Sequence, residues 1–326
     1  MMKRNIYIPY AVFLMIVLLA PMFVKNPYYL GVLVQVGIFS LVTMGLSLLM
    51  GYAGQISLGH AAFFGMGAYA SAILTGTCHW SPWLAMGAGM LITACVAWFV
   101  GTPSLKLKGH YLAMATLGFG LIVNIFFLAE VDLTGGPSGY TFARIPHITF
   151  IKWTIKSETS SYYFVWGILL VILLLTLHII HSRVGRALRS IHADEEAARA
   201  MGVNTAQYKV GIFILSGIYA SLAGSLYAHY IRFVAPDPFG LMESVLLVTM
   251  VIVGGMGSIW GAIAGAALLI ILPEALRFFQ DYNILIYGAI LLFIMLFLPG
   301  GIFGGSQMLW LLIRKIPGRR QEAKDG

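Results

Sequence analysis

The sequence predicts an all-α polytopic membrane protein with about ten transmembrane helices, and three observations lead to this prediction. Of its 326 residues, 60% are hydrophobic and only 10% are charged, and the mean hydropathy is +0.88. Soluble domains carry roughly 25% charged residues, so this composition excludes a soluble fold. The apolar residues are grouped into ten runs, and the basic residues are concentrated in alternate connections between those runs.

The ten runs approach or reach the roughly 17 to 25 residues that a helix needs to cross a bilayer. They cover residues 8–24, 28–50, 61–77, 83–101, 111–129, 162–180, 210–234, 244–258, 260–273 and 284–299. The eighth and ninth are short and nearly contiguous, so eight full spans with a Gly-rich broken or re-entrant pair remain an alternative. We interpret residues 1–316 as one transmembrane domain and residues 317–326 as a basic cytoplasmic tail.

Basic residues indicate the orientation, because Lys and Arg are in excess on cytoplasmic loops. Ten spans and a cytoplasmic N-terminus place one set inside: Lys3, Arg4, Lys106, Lys108, Arg183, Arg186, Arg189, Arg199, Lys209, Arg314, Lys315, Arg319, Arg320 and Lys324. The smaller outer set is Lys25, Arg144, Lys152, Lys156, Arg232 and Arg277. Both termini and the connection 182–209 are therefore predicted to be cytoplasmic, and the loop 130–161 to be the longest on the outside. The net charge of +8 reflects this bias and contact with anionic lipid, not nucleic-acid binding.

An acidic, alanine-rich stretch lies within the connection 182–209. It comprises Asp194, Glu195, Glu196, Ala197, Ala198, Arg199, Ala200, Met201 and Gly202. Acids in a first turn, an Arg four residues after Glu195, and a glycine able to form a left-handed cap predict one short helix. A helix of two turns is marginal in water, so we expect it to be held by flanking spans or by a partner's groove, with both alanines exposed.

Two glycine-rich runs interrupt apolar segments, one in each half of the chain. The first contains Gly51, Gly54, Gln55, Ser57 and Gly59, and the second contains Gly254, Gly255 and Gly257. Broken helices of this kind line substrate paths in transporters, where unpaired backbone is tolerated. The four-residue spacing of Gly257, Gly261 and Gly265 instead predicts a small-residue ridge for helix packing, and both interpretations stay open.

The outer loop 130–161 contains Thr134, Gly135, Gly136 and Pro137, residues that predict tight turns. The loop is interpreted as an ordinary surface turn, as an outer gate, or as a landing site for an extracytoplasmic partner. These three alternatives remain open.

The sequence offers no catalytic constellation and no metal-ligand spacing, so we predict neither an enzyme nor a metal site. No G-x-x-x-x-G-K-[ST] motif is present, so ATP hydrolysis by that route would require a separate protein. The twelve acidic residues fall in loops or near span ends, whereas gradient-driven carriers usually keep an ionisable group inside the membrane. A gradient-driven carrier, a channel and a membrane-embedded enzyme remain rival classes.

Glu196-Ala197-Ala198 followed by Gly202 resembles the coupling loop of ATP-binding-cassette importer permeases, although Ile214-Leu215 replaces the Leu-Pro of that pattern. Further segments resemble, in order, the LivM-type permeases of branched-chain amino acid transport systems. They are residues 51–69, 105–113, 134–139, 182–202, 253–265 and 296–304, with His110 at a position where many relatives carry Asp.

This resemblance implies a transport subunit in a bacterial inner (plasma) membrane complex. The expected partners are a LivH-like second permease, two cytoplasmic ATPases that bind ATP and Mg, and a periplasmic binding protein. No cofactor is expected in this chain itself. The substrate implied is leucine, isoleucine or valine, while urea, short amides and aromatic acids remain alternatives. ATPase coupling is assigned by the resemblance to residues 194–199 and Gly202.

Overall fold

The structure, a computed structural model, describes residues 7–24, 26–142, 157–277, 283–298 and 300–302. The predictions for the two chain termini, the tail 317–326 and the middle of the outer loop lie outside these residues. The described helices are α1 (Tyr7–Phe23), α2 (Pro27–Ser47), α3 (His60–Gly76), α4 (Pro82–Ser104), α5 (His110–Ala129), α6 (Val131–Thr134), α7 (Glu158–His181), α8 (Arg183–Ala193), α9 (Glu195–Ala200), α10 (Thr205–Ile231), α11 (Leu241–Gly254), α12 (Ile259–Leu276) and α13 (Asn283–Phe297).

Each of the ten apolar runs coincides with one of these α-helices, which confirms the predicted helical membrane class. Six described helices are long and apolar enough to cross a membrane: α2 with its π-helical extension Leu48–Tyr52, α4, α5, α7, α10 and α12. Helix α11 has only 14 residues, about 21 Å at 1.5 Å per residue, and is shorter than a hydrocarbon core of about 30 Å. The number of complete crossings remains a prediction.

Helix α10 lies at the centre of the bundle and packs against α2, α3 and α4. Its approach to α3 requires glycine on both helices. A Cβ on Gly67 would lie 2.1 Å from the Ser221 carbonyl oxygen, and one on Gly224 would lie 1.9 Å from the Phe64 carbonyl oxygen. At the same crossing, the Ser225 hydroxyl donates a 3.1 Å hydrogen bond to the Gly67 carbonyl. Small residues thus allow this close contact between α3 and α10 in the core.

The helix is broken between α2 and α3. The π-helical turn that extends α2 ends at Tyr52, and α3 begins at His60. We call residues 54–59 the linking segment. The N–H of Leu58 donates to the Thr116 hydroxyl of α5 at 3.0 Å, and the N–H of Ala61 donates to the Ser244 hydroxyl of α11 at 3.3 Å. Side chains from neighbouring helices therefore satisfy backbone groups that the break would otherwise leave unpaired inside the bundle.

Helices α11 and α12 form a tight hairpin around the second glycine-rich run. A Cβ on Gly265 would lie 1.9 Å from the Met250 carbonyl oxygen, and one on Gly254 would lie 2.0 Å from that of Gly261. The predicted continuous ridge is wrong at Gly257, which precedes α12 and has a φ of +80° in the turn. The turn meets the first glycine-rich run, since a Cβ on Gly51 would lie 2.2 Å from the Gly257 nitrogen.

The all-helical prediction misses one small element. Strands β1 (Tyr140–Thr141) and β2 (Phe233–Val234) pair antiparallel and tie the outer loop to the end of α10. Residues so far apart in sequence give no local signal of this pairing, so hydrophobic periodicity could not reveal it.

Candidate coupling surface

Helix α8 joins the long helix α7 to the predicted coupling helix. The Ser182 hydroxyl caps α8 by accepting the N–H of Val184 at 3.1 Å, and a Cβ on Gly185 would lie 2.1 Å from the Ile180 carbonyl oxygen. Leu188 and Ile191 are buried on the same face as Gly185. The sequence predicted a loop with one short helix, which is wrong here because the 11-residue helix α8 precedes that short helix.

Helix α9 is the short helix that the acidic, alanine-rich stretch predicts, and the predicted left-handed cap at Gly202 is confirmed. One carboxylate oxygen of Asp194 accepts the N–H groups of Glu196 at 2.9 Å and Ala197 at 3.1 Å. At the other end Gly202 adopts a φ of +85°, and its N–H bonds to the Arg199 carbonyl at 3.0 Å. The N–H of the next residue bonds to the carbonyl of Ala198 at 3.0 Å, which completes a Schellman cap.

One ion pair attaches α9 to the first turns of α10, and a second lies within α9. The ammonium of Lys209, a side chain only 3% exposed, lies 2.6 Å from one oxygen of Glu195, and Arg199 lies 3.3 Å from the other. Burial acts to raise the pKa of Glu195. The hydrogen bond and charge of Lys209, with the charges of Lys108 and Arg199, outweigh burial and hold that pKa below its ordinary value. Glu195 is therefore ionised at neutral pH and fixed in place.

The face of α9 that points away from the bundle is small and accessible. The Glu196 side chain is 82% exposed and Met201 is 85% exposed, with Ala197 between them on the surface. The expectation that both alanines are exposed is wrong, because Ala198 is buried beneath the helix. Met201, which the sequence analysis did not single out, adds an apolar side chain to this surface. We call Glu196, Ala197 and Met201 the exposed face of α9.

A crevice of about 330 Å³ brings predicted path residues next to this helix. Gly54 and Gln55 line it from the linking segment, while Lys108, His192 and Glu196 line it from the other sides. Gly54 has a φ of +68°, and a Cβ there would lie 3.0 Å from the His192 Nδ1 atom. The two predicted sites thus meet in space, although they lie in different halves of the sequence.

Four of the other predicted path residues, Ser57, Gly59, Gly254 and Gly255, are buried, whereas Gly51 is partly buried and Gly257 is exposed. Ser57 is buried, and its hydroxyl lies 3.0 Å from His60 Nδ1. A Cβ on Gly59 would lie 2.5 Å from the Thr116 carbonyl oxygen, and one on Gly255 would lie 2.8 Å from that of Gly300. Close packing of backbone is therefore what these glycines provide within this chain.

The predicted gate residues form a rigid turn rather than an extended loop. The Thr134 hydroxyl lies 2.7 Å and 2.6 Å from the carbonyl oxygens of Phe127 and Glu130, and it accepts the N–H of Gly136 at 3.2 Å. Thr134 and Gly136 are buried, and Gly135 has a φ of +78°. Pro137 is exposed, so it is the predicted gate residue that remains accessible.

Two buried polar residues near this surface, Lys209 and His60, lie outside the predicted site residues. Lys209 is a cation at the beginning of an apolar helix, and that position is its sequence signal. His60 lies between two serines, with Nε2 3.0 Å from the Ser216 hydroxyl of α10. The contact to Ser216 has no signal in sequence, because the two residues are 156 positions apart.

A bundle of apolar helices that carries an accessible, doubly capped helix is typical of a multi-pass membrane protein. Comparison with known families narrows this class. Residues 28–297 match the family described as the permease component of the branched-chain amino acid transport system, and the chain belongs to that family.

Its relatives include two kinds of permease. The high-affinity branched-chain amino acid transport system permease protein LivM of Salmonella typhimurium is 31% identical over 288 residues, covering 81% of this chain and 67% of the relative. LivM of Escherichia coli K12 is 30% identical over 286 residues, with the same coverage. LivH of Salmonella typhimurium is 25% identical over 289 residues, covering 83% of this chain and 92% of the relative. No solved structure matches the chain.

Proposed function

We propose that this chain is a permease subunit of an ATP-binding-cassette importer in the bacterial inner membrane. With a LivH-like second permease it forms the translocation path for leucine, isoleucine and valine. The observation that carries this proposal is α9, a helix fixed to the bundle through Glu195 and Lys209 while Glu196, Ala197 and Met201 face outward. The family match and the names of both kinds of relative support the substrate class and the paired permease.

Two cytoplasmic ATPases bind ATP and Mg in this proposal, and a periplasmic protein delivers the amino acid. The exposed face of α9 docks into a groove of one ATPase. The chain crosses the membrane ten times with both termini in the cytoplasm, so α9 lies on the side where ATP is. Closure of the ATPase pair displaces α9 and opens the permease outward to receive the ligand.

The translocation path lies between the two permeases, beside α5 and the linking segment. The buried residues of α5 are Leu112, Thr116 and Phe127. The rest of this helix is not buried within this chain, which leaves a long face for a second permease. The break in helix at residues 54–59 supports a path there, because non-helical backbone at membrane depth occurs against protein or a water-filled cavity. Gly51, Gly254, Gly255 and Gly257 support the fold behind that path.

The test is ATP hydrolysis by the complex of this chain with its second permease, ATPases and binding protein in lipid nanodiscs. Leucine, isoleucine and valine are added separately, with urea as the control. Stimulation by the three amino acids and not by urea supports the proposal. Stimulation by urea alone would mean that the substrate belongs to another chemical class. Amino acid uptake driven by an ion gradient without ATP contradicts an ATP-driven importer.

A further inference from the structure

One face of α10 is buried and polar at both ends. Lys209, Phe213 and Ser216 lie four and then three residues apart, the spacing of a single helix face. Lys209 is 2% exposed, Phe213 is 1% exposed and Ser216 is fully buried. Ser216 lies seven positions after Lys209, which is about 10 Å along the helix axis. This face therefore connects the surface beside α9 with the interior of the bundle.

Each end of the face is attached to a different element of the site. At the surface Lys209 holds Glu195 of α9 at 2.6 Å. In the interior the Ser216 hydroxyl lies 3.0 Å from His60 Nε2, and Nδ1 of the same ring lies 3.0 Å from the Ser57 hydroxyl in the linking segment. Phe213 supports the imidazole edge-on, with ring centroids 6.3 Å apart.

The ion pair of α9 with Lys108 is weaker than its pair with Lys209. Lys108 lies 3.4 Å from Glu196, but both side chains are exposed, at 64% and 82%, and such pairs are screened by water. Because Lys209 is buried, water does not readily replace Glu195 as its partner, so a shift of α9 has to move Lys209 or break the pair. The interior histidine is constrained in the same way, because both of its ring nitrogens are engaged by buried hydroxyl groups.

We propose that Lys209, Ser216 and His60 are positioning residues that carry the displacement of α9 along α10 to the linking segment. This inference rests on the proposed function, since it specifies how ATPase closure reaches the path. Neither Lys209 nor His60 touches substrate in this scheme. They keep residues 54–59 in register with α9, so that the path changes only when α9 moves.

The test uses the complete reconstituted complex and measures two quantities: the stimulation of ATP hydrolysis by leucine with its binding protein, and the number of ATP molecules consumed per leucine transported. Lys209→Met and Ser216→Ala are each expected to reduce the stimulation at least about fivefold, the lower end of typical coupling energies. Lys106→Met, an exposed lysine of the α4–α5 connection, is the charge-matched control and keeps the wild-type values.

The double variant Lys209→Met/Ser216→Ala tests whether both residues act in the same path of transmission along α10. If they do, the double variant is no more impaired than the worse single variant, whereas effects that multiply overturn the inference. Lys209→Arg and Ser216→Thr keep the charge and the hydroxyl, and they are expected to restore most of the stimulation. If Lys209→Met does not assemble, Glu195→Gln takes its place in the same cycle.

Failure of the inference and failure of the proposed function give different results. A wild-type complex that shows no ligand stimulation contradicts the importer itself. A stimulated wild type with both single variants at wild-type values overturns only the role of the α10 face.

Discussion

Lys209, a buried lysine in the first turns of α10, donates a 2.6 Å hydrogen bond to Glu195, and this pair holds α9 to the transmembrane bundle. The neighbouring acid, Glu196, points outward and is 82% exposed. Two consecutive carboxylates therefore have different tasks, the first to fix the helix and the second to present it. The predicted set of coupling residues, 194–199 and Gly202, includes both acids without this difference.

This difference predicts unequal effects for two similar substitutions. Glu195→Gln leaves the ammonium of Lys209 buried without a counter-charge, so we expect the complex to lose about 3 kcal/mol of stability. Glu196→Gln removes an exposed charge and is expected to change stability by less than about 0.5 kcal/mol. Thermal unfolding of the purified complex in detergent measures both. Equal stability losses in the two variants would contradict the assigned roles.

The Glu195 pair also predicts a pH dependence for the mobility of α9. The pKa of this carboxyl lies below its ordinary value of 4.5, so the pair stabilises α9 above pH 4.5 and is lost as the pH falls through the lowered value. A spin label on Met201→Cys should show unchanged mobility from about pH 8 to about pH 5 and greater mobility only in stronger acid. In a Glu195→Gln background this transition should disappear, and a wild-type transition near neutral pH would count against the pair.

Substitutions of Gly202 should impair transport to graded extents, because the constraint at this position is purely conformational. Its φ is +85° and a Cβ placed there would meet nothing within 4 Å, so substitutions encounter backbone strain and no clash. Asn tolerates this conformation best, Ala costs about 1 kcal/mol, and β-branched Val costs more. Leucine uptake per ATP hydrolysed should fall in the order Asn, Ala, Val. A Gly202→Val complex with wild-type uptake would show that the left-handed cap is not needed.

The contact between the two glycine-rich runs predicts a stability effect with a matched control. A Cβ on Gly51 would lie 2.2 Å from the Gly257 nitrogen, and backbone on both sides leaves no flexible atom to move. Gly51→Ala should therefore destabilise the chain by about 1–3 kcal/mol, as overpacking does. Gly87→Ala, on an apolar helix with nothing within 4 Å, should be neutral or slightly stabilising. Thermal unfolding midpoints of the two variants make the comparison, and equal midpoints would rule out close packing at Gly51.

Two substitutions in the outer turn should affect different properties, one the stability of the chain and the other the docking of the binding protein. Thr134→Val removes a buried hydroxyl that bonds Phe127 and Gly136, and it should cost about 1–2 kcal/mol of stability. Pro137→Ala changes an exposed residue, so any effect should appear in affinity for the binding protein and not in unfolding. A transport defect in Thr134→Val, with stability and affinity for the binding protein unchanged, would support the gate interpretation instead.

The sequence predicted the helices better than their contacts. Apolar run length located all ten long helices, and cap chemistry located α9 to within two residues, because both signals are local. Helix α8 was missed, although Gly185, Leu188 and Ile191 carry a three-residue period that a search for amphipathic helices would detect. Its short length and basic residues made it resemble a loop.

The site could be predicted only as separate parts. The meeting of Gly54 with His192, and of His60 with Ser216, depends on how the helices cross, and no property of either residue reveals it. Ala198 is likewise buried because the pair of Lys209 with Glu195 fixes which side of α9 faces the bundle. Sequence spacing gives a helix its faces, but tertiary packing decides which face stays exposed.

The central claim is that α9 is the element through which an ATPase acts on this chain, and site-specific photo-crosslinking tests it most directly. A benzophenone at Ala197, on the exposed face of α9, should capture the ATPase subunit in the reconstituted complex. The same probe at Ser138, exposed on the outer turn, should capture the binding protein or nothing. Capture of the ATPase from Ser138, or its absence at Ala197 in an assembled and active complex, would contradict the account.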